Sequence, residues 1–191
     1  MTQELQIGGT SLSGAAGQRC PASVAHASAS PMALVLPLIE AARHFGPRGS
    51  LIGLDLGTKT IGVATCDHDR KLATGVETIA RRNFTTDAKR VLTLATERRA
   101  TGFVLGLPVN MDGSEGPRAQ STRAFARNFS KLTELAIALW DERLSTAAVE
   151  RELIAADVSR KKRAAVIDQH AAAFILQGAL DRLVHLANHK S

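Results

Sequence analysis

From Ser50 onward the apolar residues change period at regular intervals, and each change marks an element. Leu51 to Leu56 is one apolar run, Thr60 to Cys66 a second and Leu72 to Ile79 a weaker third, separated by Gly57-Thr58-Lys59 and by the polar stretch Asp67 to Lys71. Runs of this length between turn residues predict three strands, and the short links predict an antiparallel meander. Thr85 to Arg98 then sets Val91, Leu92, Leu94 and Ala95 among charges, the pattern of a helix lying on a sheet. Gly102 to Leu107 is a short apolar strand that Pro108 stops. Val109 to Arg118 holds Asp112-Gly113 and Gly116-Pro117 and is predicted as a loop. Gln120 to Leu132 carries Ala124, Phe125 and Phe129 as a helical stripe, and Ala136 to Trp140 is a strand. Ser145 caps a helix over Thr146 to Ala156, and Ala164 to Ala187 is a long final helix.

A three-strand meander followed by strand-helix-strand units predicts an α/β fold with a mixed five-stranded sheet: three antiparallel strands plus two parallel ones, flanked by helices. The chain before Ser50 reads differently. Residues 1–31 are rich in Ala, Ser, Gly, Thr and Gln with no sustained period, so they bury too little area to offset their ordering entropy and are expected to be disordered. The composition changes at Met32, which suggests a natural start there; an intact Met1 terminus on protein from the native locus would contradict this. A short helix is expected over residues 38–46, ended by Gly46-Pro47. The expected division is therefore an extension over 1–49, one domain over 50–187 and a tail over 188–191.

Composition adds a direction. The chain is 45% hydrophobic and 22% charged, ordinary for a globular protein, with a formal net charge of +6 that favours a polyanionic partner. Residues 1–48 hold three Arg and two Glu, so +5 of that excess belongs to the rest of the chain. Cys20 and Cys66 lie in dissimilar contexts, which implies no disulfide framework and a reducing cytoplasm. No apolar run approaches the roughly 18 residues of a membrane span. Aromatic residues make up only 4%, with no Tyr, which argues against a stacking platform for single strands and for backbone and shape recognition.

Three carboxylates stand out against this frame. Asp55 interrupts an apolar strand, where an unpaired charge costs several kcal/mol or more, and Gly53 and Gly57 flank it on its own face. Glu142 follows the strand Ala136 to Trp140, at the end where functional groups of α/β sheets collect, while its neighbour Asp141 belongs to the opposite side. Asp168 shares a helical face with Ala171, Ala172 and Ile175. Each has a structural alternative: Asp55 as a cap of the following turn, Glu142 as a surface partner of Arg143, Asp168 as a favourable first-turn acid. Together, three convergent acids predict a site for Mg²⁺ or Mn²⁺; zinc-type His/Cys spacing is absent. Two such ions about 4 Å apart, bridged by Asp55 and fixed by Glu142 and Asp168, would serve phosphodiester hydrolysis. His170 is read as packing or surface.

The cations supply the candidate nucleic-acid contacts. Arg160-Lys161-Lys162-Arg163 precede the final helix at the end where its dipole disfavours them, a mismatch that phosphates would relieve. Lys59 and Arg143 adjoin two of the acids. Arg81, Arg82, Arg98 and Arg99 extend the basic surface if they share a face, which sequence does not show.

These residues resemble the YqgF family, the Holliday-junction-resolvase-like or pre-16S rRNA processing nucleases of the RNase H-like superfamily. The likeness rests on Gly53-Leu54-Asp55-Leu56-Gly57-Thr58-Lys59-Thr60-Ile61-Gly62-Val63-Ala64, on Val104 to Pro108 with Asp112-Gly113-Ser114, on Asp141 to Thr146, and on Lys161-Lys162-Arg163 leading to Asp168 with Ala171-Ala172. It covers about residues 50–185. The resemblance implies an RNase H-like fold, an acidic triad at Asp55, Glu142 and Asp168, and a mobile loop over Gly106 to Gly116. Thr60 departs from it, since many relatives carry Arg there. It further implies a metal-dependent nuclease acting on precursor rRNA or branched DNA, as a monomer or a homodimer. Two rivals remain: an actin-like or sugar-kinase phosphate hairpin at Asp55-Leu56-Gly57-Thr58, for which one copy in 191 residues is too little, and a non-catalytic ribosome-assembly factor.

Overall fold

The structure is a computed structural model that describes residues 32–144 and 160–188, with side chains described for residues 32–143 and 170–188. The disorder expected for residues 1–31 and the helix expected over Thr146 to Ala156 lie outside the described residues.

A mixed sheet forms the centre. Its meander is β2 (Ile52–Leu56), β3 (Thr60–Cys66) and β4 (Ala73–Ala80), with β2 and β3 paired antiparallel from Ile52 opposite Thr65 to Leu56 opposite Ile61. On the other side of β2 come β5 (Phe103–Leu107) and β6 (Ile137–Asp141), both parallel to it. The sheet has six strands rather than five, because β1 (Val35–Pro37) pairs in parallel with β6 and gives the order β1-β6-β5-β2-β3-β4. Three residues ending in Pro are too few for a period-2 signal; the strand exists because Ile137 N–H of β6 bonds the Leu34 carbonyl and Ala33 N–H bonds the Ser130 carbonyl. The helix expected over 38–46 is cut to α1 (Leu38–Ala41). Turns carry the chain on to Gly46 at φ 67°, a left-handed conformation suited to glycine. Arg70 then ties that stretch down, donating to the carbonyls of Phe45, Gly46 and Gly49 and to the Thr101 hydroxyl.

Two helical layers cover the sheet. On one face α2 (Phe84–Glu97), capped by the Asn83 side chain, and α3 (Pro117–Phe129) bury Val91, Leu94, Phe125 and Phe129 against Ile52, Leu54, Phe103 and Leu105. Helix α3 begins three residues before its expected start because Gly116 and Pro117 form its N-terminus, Pro at N1 losing no hydrogen bond. The other face receives α1 and the final helix α4 (Arg160–Asn188), whose Ala172, Ile175, Leu176, Ala179 and Leu180 pack on Leu51, Ala64, Val104, Ala138 and Trp140. The basic run Arg160 to Arg163 therefore belongs to the first turn of α4 rather than to the loop before it.

Strand alternation assigns every inward residue to one of these faces. Ile52, Leu54 and Leu56 meet α2 and α3, so Gly53 and Asp55 face α4. Gly53 has no side chain for a concrete reason: a Cβ there would lie 2.7 Å from Leu176 Cβ and 3.1 Å from the Ala172 carbonyl oxygen. The helix rests directly on the β2 backbone. Its C-terminal residues Leu183 to Ala187 border Arg43, Pro47 and Asp69, at the amino end of β2, so α4 runs antiparallel to β2 and its N-terminal half extends toward Asp55.

Candidate active site

Asp55 is half-buried and stands at the carboxyl end of β2, two residues beyond Gly53 on the α4 face. Its partner across the β2–β3 ladder is Gly62. On the other side, Leu54 is level with Leu105 of β5, so one residue further on Asp55 comes level with Gly106. With Gly53 before it and Gly57 after it, this carboxylate is bordered by glycine along its own strand and on both neighbouring strands. No side chain from those positions crowds the space above it.

Glu142 enters that space from β6. Ala136, Ala138 and Trp140 point to α4, and Glu142 continues the alternation just past the strand, as the first residue of a 3-10 turn (Glu142–Leu144). Its side chain reaches across β5: a Cβ on Gly106 would sit 2.5 Å from Glu142 Oε1 and 2.5 Å from Ile175 Cδ1. The Glu142 carboxylate thus lies over Gly106, packed beside Ile175 of α4, and Asp55 stands on the strand next to Gly106, a backbone spacing of about 4.8 Å. Glu142 is only 9% exposed.

Asp168 lies one turn before Ala172 and two before Ile175 on α4, toward the carboxyl ends of β2 and β5. Its side chain, and those of Arg160, Lys161, Lys162 and Arg163, lie outside the described residues. Among the described residues no three His, Cys, Asp or Glu side chains meet as a metal site. The donors present are nevertheless the right kind for a hard divalent cation: two carboxylates on one face of the sheet, at the carboxyl ends of its parallel strands.

Asp141 and Arg143 occupy the other side of the strand end. Arg143 Nη2 binds Asp141 Oδ2 at 2.7 Å, its Nε shares the same carboxylate, and its Nη1 reaches the carbonyl oxygens of Asn110 and Met111 at 3.3 and 3.4 Å. The guanidinium, foremost by hydrogen bonding, holds the Asp141 carboxyl below its ordinary range. Arg143 therefore stitches the loop between β5 and α3 to the residue preceding Glu142. Inside that loop the Asp112 carboxylate accepts from the Ser114 hydroxyl and N–H, and Arg123 grips Glu115, lowering its pKa. The loop tip, Met111, is 90% exposed.

Of the other cations named from sequence, Lys59 is exposed on the β2–β3 hairpin, where its carbonyl accepts from Arg81 N–H. Arg81 turns back to donate to the Gly57 carbonyl at 2.8 Å. Arg98 and Arg99 follow α2 at the opposite end of the sheet, close to the Ser50 to Gly102 junction. His170 is exposed. The sequence reading passed over Gly62 and Gly106 as functional positions and did not single out Arg118. The signal for the glycines is a residue without a side chain level with an acid, and it becomes visible only when strand register is known.

One family model, described as RuvX: Holliday junction resolvase, matches residues 49–182. The chain belongs to that family. The RuvX match runs from just before β2 into α4 and so contains Asp55, Glu142 and Asp168. A protein of Rhodopseudomonas palustris (strain TIE-1) named "Putative pre-16S rRNA nuclease" is 80% identical over 154 residues, 81% of this chain and 96% of that protein. A protein of the same name from Nitrobacter hamburgensis is 75% identical over 81% of this chain and 94% of its own length. Among solved structures, T. thermophilus RuvC in complex with Holliday junction substrate aligns at 11% identity with a TM-score of 0.48, over 71% of this chain and 96% of that one.

Proposed function

We propose that this chain is a metal-dependent endonuclease that hydrolyses phosphodiester bonds at the 5′ end of pre-16S rRNA during ribosome biogenesis in the cytoplasm. The nuclease fold takes in residues 50–187 together with β1 at the sheet edge and α1 on the α4 face. The observation that carries the reading is the Glu142 carboxylate laid over Gly106 beside Asp55, at the carboxyl ends of parallel strands, where ligands of α/β sheets bind. The rRNA substrate is favoured by the names of relatives 75 to 80% identical over most of their length. No helix among the described residues is long and apolar enough to cross a membrane.

Asp55, Glu142 and Asp168 are the residues that would hold Mg²⁺ or Mn²⁺. When bound, one or two such ions lower the pKa of water and neutralise charge developing on the phosphate. The chain's own part is to fix the carboxylates. Packing against Ile175 orients Glu142, the missing side chain at Gly106 lets that carboxylate lie across β5, and the Arg143 bond to Asp141 keeps the strand end and the neighbouring loop in one arrangement. Lys59 and the basic first turn of α4 supply positive charge to the substrate backbone.

The family description favours a second reading, cleavage of a four-way DNA junction, which would call for a homodimer presenting two sites; trimming of rRNA needs only a monomer. The test is to incubate the protein and its Asp55→Asn form with precursor 16S rRNA and with a four-way junction in Mg²⁺ or Mn²⁺, and to map products. Cuts in the rRNA that the substitution abolishes are expected. Cuts confined to the junction would replace the first reading by the second, and binding without cutting would favour an assembly factor.

A further inference from the structure

The β2–β3 hairpin borders a second feature on the opposite face from α4. Leu56, Gly57 and Thr58 from the hairpin, Arg81 from beyond β4, and Pro117, Arg118 and Ser121 from α3 line an open cleft of about 220 Å³. It begins one residue after Asp55 in the chain, at the same carboxyl end of the sheet. Its two arginines differ from five others among the described residues. Arg48, Arg90, Arg123 and Arg143 are each paired with an acid, and Arg70 is spent on backbone carbonyls. Arg81 and Arg118 pair with no carboxylate among the described residues. Arg81 is fixed by one N–H to the Gly57 carbonyl, which leaves most of its fork for an external acceptor. Two guanidinium groups from separate elements, in a cleft also lined by Thr58 and Ser121, suit an oxyanion with several acceptor atoms, and a phosphate fits that chemistry.

We infer that this cleft is a phosphate subsite, in which Arg81 and Arg118 seat a phosphodiester of the substrate strand next to the one presented to Asp55 and Glu142. The inference rests on the nuclease reading above and adds to it the path of the strand, across the end of the sheet from the α4 face to the α3 face. Only local backbone charge is read there, so the subsite fixes register without selecting sequence.

The test uses a labelled oligoribonucleotide spanning the 5′ end of 16S rRNA and its leader, with binding measured in chelator so that no cleavage intervenes. The Arg81→Ala/Arg118→Ala protein is expected to bind about 10- to 100-fold more weakly. The slope of log Kd against log salt should fall by about 1 to 2. Arg98→Ala/Arg99→Ala removes the same charge at the far end of the sheet and should change neither. Neutralising single phosphates as methylphosphonates should reveal one position that weakens the wild-type protein and leaves the double variant unaffected, a pattern that a loosened hairpin would not produce. Equal affinity and salt slope for the two double variants would overturn the subsite, even where Asp55→Asn abolishes cleavage and the nuclease reading stands. Wild-type protein that neither binds nor cuts the RNA would overturn both.

Discussion

At Gly106 a single hydrogen atom in place of a side chain decides where a carboxylate goes. A methyl there would lie 2.5 Å from both Glu142 Oε1 and Ile175 Cδ1, so Gly106→Ala must displace one of them. Overpacking of this kind costs about 1–3 kcal/mol, whereas misplacing a catalytic group by about an ångström costs on the order of 100-fold in rate. We expect Gly106→Ala to lose activity nearly as completely as Glu142→Gln while still unfolding cooperatively, which cleavage assays and denaturant titration together would establish. The second residue-scale expectation concerns Asp141, whose folded pKa is depressed chiefly by hydrogen bonds from Arg143. A depressed carboxylate adds stability that is complete above its unfolded pKa, about 4, and is lost as pH falls through the folded value. The stability difference between the wild-type protein and Arg143→Ala should therefore be present at pH 7 and vanish in the acid range, as urea midpoints at the two pH values would show. Asp55 was legible from sequence because a charge in an apolar strand needs an explanation. Gly106 and Gly62 were not, because their meaning lies in being level with Asp55 across the sheet.

Helix α4 and strand β2 form the contact on which the site is built. Leu176 is fully buried over Gly53 and its truncation to Ala should cost about 2–5 kcal/mol, measured by denaturant unfolding. Gly53→Ala, whose methyl would meet Leu176 Cβ at 2.7 Å, should lift α4 from the sheet. It is expected to reduce stability and cleavage together, unlike Gly106→Ala, where activity falls first. The meander, β5, β6 and the helices α2 and α4 were all readable, since each is long enough for its period to register. Strand β1 was not. It is three residues long, and its formation depends on the edge that β6 offers rather than on its own pattern. The start of α3 was missed for the opposite reason: Gly116-Pro117 was read as loop chemistry when the same pair also opens a helix.

For the molecule as a whole, the sheet separates structure from function by its two ends. At the amino ends of the strands Arg70 binds the 45–49 turn to the core, and Arg98 and Arg99 face solvent. At the carboxyl ends stand Asp55, Glu142, the Arg143-anchored loop and the Arg81/Arg118 cleft. The net charge of +6 pointed to a polyanion but not to its placement, because a sum over the chain does not say where on the sheet its cations lie. Convergence of three acids at that end is the claim on which the rest depends. Titration of Mn²⁺ into the wild-type, Asp55→Asn, Glu142→Gln and Asp168→Asn proteins tests it without recourse to a substrate. Saturable binding to the wild-type protein that weakens at least tenfold in every variant is expected. Binding to Asp168→Asn with wild-type affinity would contradict it, leaving α4 as a packing element and the site with two acids instead of three.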